Sequence, residues 1–246
     1  MLKRCIVVGA SGGIGSALVR KLAGEGYLIA AIDLNMQAVS ELCAEVNATG
    51  MERAWPFEHD VTDTETAQAV FDKAVVRLDG LDAIIYAAGV MPRITEDDYD
   101  TALDRLMMEV NTTGAIGWLN PAATRFRLQG RGSIVAIGSC AGDRGRRGQP
   151  VYCASKAALH TYLESLRNRL AVHGVHVLTI KPGPVHTPLT AGLEKLPMAI
   201  EATKAADLIF AAMARRADVA YIPLQWAVIM SVIKTIPSLI FRRMSI

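Results

Sequence analysis

The chain has 246 residues, of which 51% are hydrophobic and 20% charged, enough apolar mass for one α/β domain with a large core. Its net charge of +2 excludes, on composition, the strongly basic surface of a nucleic-acid binder. Four cysteines without a CxxC pair and five histidines without an HExxH-type spacing point to no disulfide framework and no metal site.

The N-terminal apolar run is too short for a signal peptide, so the chain is expected to start on its first core strand and to be cytoplasmic. "CIVVGA" (5–10) reads as a buried strand, and "GGIGSALVRKLAGEG" as a helix ending at Gly24 or Gly26. "YLIAAID" (27–33) is a second strand, "MQAVSELCAEVN" a helix, and "RAWPFEHDV" holds a third strand. "DTETAQAVFDKAVVRL" is a helix with Thr62 or Asp63 as N-cap. "LDAIIYAAG" (81–89) is a fourth strand, and a long helical stretch over about 97–128 is expected to kink near Pro121. "GSIVAIGS" (132–139) is the fifth strand, "PVYCASKAALHTYLESLRNRLAVHG" a helix, "VHVLTIKPG" (175–183) the sixth strand and 218–223 the seventh. Strands that are apolar throughout, separated by helices, imply a parallel sheet covered on both faces. The expected fold is one doubly wound Rossmann-type α/β domain with seven parallel strands over 1–223, extended by an amphipathic helical tail over 224–246.

Gly9, Gly13 and Gly15 stand at the first strand-to-helix turn in a GxxxGxG spacing. Glycines there let the backbone turn tightly and approach a pyrophosphate held by the helix N-terminus, although a glycine turn can also be only a turn. Asp33 ends the second strand, where a carboxylate can accept both hydroxyls of an adenosine ribose and repel a 2′-phosphate. That favours NAD (NADH) over NADP, and no Arg or Lys lies in the 10–15 loop to reverse it. The plain alternative for Asp33 is a strand-end or helix-cap residue. Asp60 and Val61 end the third strand and can border the adenine.

Tyr152 and Lys156 are four residues apart and share a helix face. A free phenol has a pKa of about 10, so it is a poor base at neutral pH, and lowering it by roughly three units takes about 4 kcal/mol. A nearby ammonium can supply that. Ser139, at the end of the adjacent strand, can hydrogen-bond a substrate oxygen.

With these residues in place the sequence resembles the short-chain dehydrogenase/reductase family over essentially its whole length. The matching elements are "GASGGIG", Asp33, "HDV" at 59–61, "AAG" at 87–89, "NTTG" at 111–114, "GS" at 138–139, "YCASK" and "KPGPVHTP" at 181–188. The resemblance implies hydride transfer between a nicotinamide and a ketone or secondary alcohol. It makes Tyr152 the acid/base, and Ser139 the group that orients the substrate oxygen. Lys156 would bind the nicotinamide ribose and depress the Tyr152 pKa, and Asn111 would interrupt the long helix and hold a proton-relaying water. It also implies cofactor contacts from Gly9, Ser11, Gly13, Ile14, Gly15, Asp33, Asp60, Val61, Ala88, Gly89, Tyr152, Lys156, Pro182, Gly183, Val185 and Thr187, and a homo-oligomer. Two departures stand out. Val8 replaces a threonine, and Tyr86 and Ala87 replace two asparagines, which is expected to weaken hydrogen bonding around the central strands.

The family framework does not require "DRGRR". Arg144, Arg146 and Arg147 beside glycines suit an anion such as a phosphate, against the plain reading of a solvated basic turn. From Trp226 to Phe241 the only charge is Lys234, Pro237 interrupts the run, and Arg242 and Arg243 follow. The run is shorter than the about 20 residues of a bilayer span. It fits a helix lying on an anionic membrane, at its inner face, or equally one packed on the pocket or on a sister subunit. "AGDRGRR" and "IPSLIFRRMSI" resemble the decaprenylphosphoryl-2-keto-pentose reductases and their bacterial relatives, whose substrate carries a sugar ketone, a phosphate and a polyprenyl chain. The expected partner is thus a small or lipid-linked ketone or alcohol, and no nucleic acid. A soluble lipid, steroid or polyol dehydrogenase of the same family is the alternative, and a non-catalytic nucleotide-binding regulator the more distant one.

Overall fold

The apolar runs pair in parallel. In the computed structural model, which describes residues 3–193 and 196–244, the main strands are β1 (Arg4–Val8), β2 (Leu28–Asp33), β3 (Ala54–Glu58), β4 (Ala83–Tyr86), β5 (Gly132–Ile137) and β6 (Val175–Pro182). The short β7 (Val185–His186) and β8 (Ile200–Glu201) follow, and then β9 (Val219–Ile222). All but β7 and β8 form one seven-stranded sheet in the order β3-β2-β1-β4-β5-β6-β9. The order reverses between β1 and β4, and a doubly wound sheet opens a ligand crevice at that switch point, beyond the carboxyl ends of the strands.

Alternate residues of each strand serve opposite faces. Val7, Ala31, Ile85 and Leu178 pack with α1 (Gly13–Gly24), α2 (Met36–Asn47) and α7 (Ala202–Ala214). Ile6, Ile32, Ile84 and Val177 pack with α3 (Ala67–Leu78), α5 (Gly114–Gln129) and α6 (Pro150–Leu170). Both faces of the sheet are therefore dry, which is why its strands read as unbroken apolar runs rather than alternating ones.

Three expectations need correction, and some elements were not anticipated. The stretch 97–128 is not one helix kinked at Pro121. It is α4 (Thr101–Met108), a π-turn over Glu109–Thr113, and α5, with Pro121 inside α5. The break falls at Asn111, and Tyr86 helps to hold it: the phenol donates to the Val110 carbonyl at 2.6 Å. A Cβ on Gly114 would lie 2.9 Å from that hydroxyl. Tyr86 thus contributes a buried hydrogen bond of its own where the expectation was a weakened centre. Helix α3 starts at Ala67, later than Thr62 or Asp63 predicted. The Asp63 carboxylate instead accepts from the Thr66 hydroxyl at 2.6 Å and the Thr66 amide at 3.2 Å, closing a separate turn ahead of the helix. Helix α7, with Ala205, Ile209 and Ala212 buried at helical spacing, and the parallel pair β7 and β8 went unrecognised in the sequence.

The tail is two helices, α8 (Gln225–Thr235) and α9 (Ser238–Phe241), separated at Ile236 and Pro237. Trp226 and Met230 bury against Cys140. The last two residues of the expected tail, Ser245 and Ile246, lie outside the described residues. Among the described residues no helix is long and apolar enough to cross a membrane.

Candidate active site

At the carboxyl end of β1 the chain turns on Gly9, whose φ is +81°. A Cβ there would stand 2.4 Å from the Ala88 amide nitrogen. A Cβ on Gly15 would stand 1.9 Å from the Gly9 carbonyl, and one on Gly13 would stand 2.5 Å from the Thr187 side chain. No side chain fits this floor, so backbone lies directly at its surface. Asp33, at the end of β2, accepts from the Ser11 amide at 2.8 Å and the Asn35 amide at 3.1 Å. Its carboxylate is therefore fixed against the glycine turn.

Two cavities meet across the switch point. One, of about 260 Å³, is lined by Gly9, Ser11, Asp33, Asp60, Val61, Ala88 and Gly89. The other, of about 330 Å³, is lined by Gly13, Ile14, Gly15, Ser139, Tyr152, Lys156, Pro182, Gly183, Val185 and Thr187. Both touch Gly12, Ala87 and Gly89, so they form one groove. Every cofactor-contact residue expected from the sequence lies on it. A groove with a carboxylate at one end, bare backbone in the middle and a Tyr–Lys pair at the other fits a nicotinamide dinucleotide.

The reacting end is assembled from three elements. Asn111, in the π-turn, is locked to Val90: its Oδ1 accepts from the Val90 amide at 2.8 Å, and its Nδ2 donates to the Val90 carbonyl at 3.0 Å. From α6, Lys156 Nζ donates to the Ile137 carbonyl at 3.0 Å. A Cβ on Gly89 would lie 3.2 Å from Asn111 Oδ1 and 3.3 Å from Lys156 Nζ, so these two side chains converge over that glycine. Ser139 Oγ accepts from the Ala141 amide at 3.0 Å, which leaves its own proton free to donate.

Burial dominates the electrostatics of both Tyr152 and Lys156. Burial pushes the Tyr152 phenol up to about 12, opposed by the Ser139 hydroxyl and the Arg146 charge. Burial also brings Lys156 down to about 8. The Lys156 ammonium lies 5.9 Å from the tyrosine ring centroid, and desolvation is the largest influence on the phenol. With its pKa raised by burial, Tyr152 is a neutral phenol at neutral pH and can donate a hydrogen bond. Cys140 and Cys153 are buried free thiols, and burial raises the Cys140 pKa, so Cys140 has no thiolate character.

The three arginines part company. Arg144 donates to the Lys234 carbonyl at 3.0 Å and to Ser238 Oγ, at the start of α9, at 3.4 Å. Its guanidinium lies 4.5 Å over the Phe241 ring. Arg147 donates to the Arg242 carbonyl at 3.4 Å and pairs with Glu96 at 3.5 Å. Two of the three thus hold the tail. Arg146 has no hydrogen bond or ion pair among the described residues, and its charge acts on Tyr152 and Cys140. The tail's first turn is seated on the site as well, because a Cβ on Gly183 would lie 2.0 Å from Trp226 Nε1. Sequence reasoning missed Asp143, His160, Lys181 and Tyr221, which cluster beneath Ser139. They come from four separate elements, so no local spacing signalled them.

The sequence profile described as short chain dehydrogenase matches residues 3–196. The chain is 30% identical over 216 residues to the cis-4-hydroxycyclohexanecarboxylate dehydrogenase of Sinomonas cyclohexanicum, covering 87% of this chain and 85% of that one. Among solved structures, a short chain dehydrogenase from Burkholderia cenocepacia in complex with NADP superposes with a TM-score of 0.83 at 24% identity, covering 98% and 97% of the two chains. A 3-oxoacyl-[acyl-carrier protein] reductase from Brucella melitensis with bound NAD gives 0.75 at 24% identity, covering 85% and 82%. The likeness to these two structures is one of fold.

Proposed function

The chain belongs to the short chain dehydrogenase family and is an NAD(P)-dependent oxidoreductase acting on CH–OH groups; from that premise we propose that it is an NADH-dependent reductase of a ketone carried on an anionic, lipid-linked sugar. The observation that carries the substrate reading is Arg146, a guanidinium with no protein partner among the described residues, whose charge acts on the Tyr152 phenol. A guanidinium left free beside a proton donor suits a substrate with a phosphate near its reacting carbonyl.

A nicotinamide bound in the groove would supply the hydride. Tyr152 donates its proton to the carbonyl oxygen, and the Ser139 hydroxyl, one of whose lone pairs accepts from the Ala141 amide, donates to the same oxygen. Lys156 would hold the nicotinamide ribose, and Asn111 would carry a water through which protons return. Asp33, held by the Ser11 and Asn35 amides, accepts the adenosine ribose hydroxyls and disfavours a 2′-phosphate.

The tail supports the lipid part of the reading. Leu224 just ahead of α8, Val228 and Val232 within it, and Leu239 and Ile240 in α9 are exposed. Lys234, Arg242 and Arg243 lie among them, and no acidic residue follows Asp218. That combination suits an anionic lipid surface. The test is NADH and NADPH oxidation with a ketose phosphate, its neutral counterpart and a lipid extract. Faster turnover of the phosphorylated ketone with NADH supports the proposal. Equal turnover of both ketones removes the anion, and a preference for NADPH removes the Asp33 reading.

A further inference from the structure

We propose that Asp143, Lys181, Tyr221 and His160 form a buried positioning network in which His160 fixes the main chain of Ser139 for the reaction proposed above. The inference rests on that reading for its kinetics and on geometry for the rest. The Asp143 side chain, 3% exposed, accepts from Lys181 Nζ at 2.5 Å and from the Tyr221 hydroxyl at 2.5 Å. Its Oδ1 also faces His160 Nδ1 at 3.7 Å. These groups come from four elements: the turn Cys140–Asp143 after β5, the end of β6, β9, and α6.

The far side of the imidazole completes the chain of contacts. His160 Nε2 accepts from the Ser139 amide at 3.4 Å. Accepting there requires a lone pair on Nε2 and so places the ring proton on Nδ1, the nitrogen facing Asp143. Burial first, and the Lys181 ammonium second, bring the His160 pKa down to about 3, so the ring stays neutral. The other charges acting on it are Asp143, Lys156 and Lys234. Glycines admit the ring: a Cβ on Gly138 would lie 2.3 Å from Nε2, and one on Gly142 would lie 2.7 Å from Cε1.

A buried carboxylate–ammonium pair is a weak source of stability, because desolvation offsets its attraction. Four polar side chains converging beneath Ser139 therefore have a positional consequence: they orient the imidazole, which orients the serine backbone, and the hydroxyl follows. A small misplacement of such a group lowers turnover more than it lowers affinity.

The test combines nitrogen-15 NMR of the histidines with kinetics on an activated 1,2-diketone. In the unaltered protein the His160 ring, assigned by its loss in His160→Gln, is expected as the neutral Nδ1–H tautomer through the region of about 6.5 where free histidine titrates. His160→Leu removes the acceptor and should lower kcat about tenfold with KM for NADH unchanged. His160→Gln, whose amide oxygen can replace Nε2, should recover most of that loss. An Nε2–H tautomer, a ring that gains charge at about 6.5, or equal kcat for the Leu and Gln variants would overturn the network. If His160→Leu does not fold, Tyr221→Phe takes its place, with kcat lowered several-fold at constant KM expected and an unchanged kcat counting against the proposal. An unaltered protein that reduces no ketone overturns the functional reading alone, and the NMR result then decides the network.

Discussion

The dinucleotide groove and the segments that surround its reacting end are built from different materials. The dinucleotide end is backbone: Gly9, Gly13 and Gly15 leave no room for a Cβ, and Asp33 is held by main-chain amides. The segments around Ser139 and Tyr152 are held instead by side chains that reach distant parts of the chain, with Arg144 reaching the Lys234 carbonyl, Arg147 the Arg242 carbonyl, and Asp143 joining Lys181 and Tyr221. A backbone cradle suits a ligand of fixed shape. A lattice of long-range side-chain contacts can be altered without disturbing that cradle.

The largest expected effect separates chemistry from both ends. Tyr152→Phe keeps the ring and removes the hydroxyl, and should lower kcat by at least roughly 10²-fold while NADH binding, measured by fluorescence titration, is retained. Near-normal turnover would move the proton donor elsewhere.

The next effect sharpens the contrast within the arginine loop. Arg146→Ala should lower kcat/KM roughly ten- to a hundred-fold on a phosphorylated ketone and little on a neutral one, as expected for losing one charged hydrogen bond. Arg144→Ala removes a contact to the tail instead. It should lower the melting temperature and affect both ketones equally. Reversed results would exchange their roles.

At the other end, Asp33→Ala should narrow the NADH-over-NADPH preference by several-fold, chiefly by relieving repulsion of the 2′-phosphate. Competitive titration with the two cofactors reads it directly.

Much of the dinucleotide end was legible because its chemistry is local. The glycines fall within a single turn, Asp33 ends one strand, and at the reacting end Tyr152 and Lys156 lie one helical turn apart, so local spacing together with the family resemblance singled them out. The break at Asn111 was expected, but its partner Tyr86 was not. The hydroxyl reaches Val110 from 24 residues away, and no periodicity records such a pairing. The same holds for the loop arginines. Their clustering suggested one shared ligand, yet two of them bind a tail about 90 residues further on. Trp226 and Met230 show the same limit: the tail's apolar pattern fits a membrane or a packed helix, and the buried positions of those two residues assign its first turns to packing.

The smallest expected effect is on pH dependence. Burial pushes the Tyr152 phenol up to about 12, so ketone reduction, which uses the protonated form, should stay level through neutral pH. Alcohol oxidation, which uses the phenolate, should climb with pH. The Arg146 charge lowers the Tyr152 pKa, so Arg146→Ala should move the rise in oxidation to higher pH. A shift to lower pH, or none, would place Arg146 away from the phenol.

The central claim is that Tyr152 and a bound nicotinamide act together on a carbonyl. Its most direct test is transfer of deuterium from NADH labelled at the nicotinamide C4 position to a ketone, followed by mass spectrometry and NMR of the product. The unaltered protein should place one deuterium on the former carbonyl carbon, and Tyr152→Phe should form that product at least roughly 10²-fold more slowly. Product without deuterium, or equal rates from both proteins, would contradict the account.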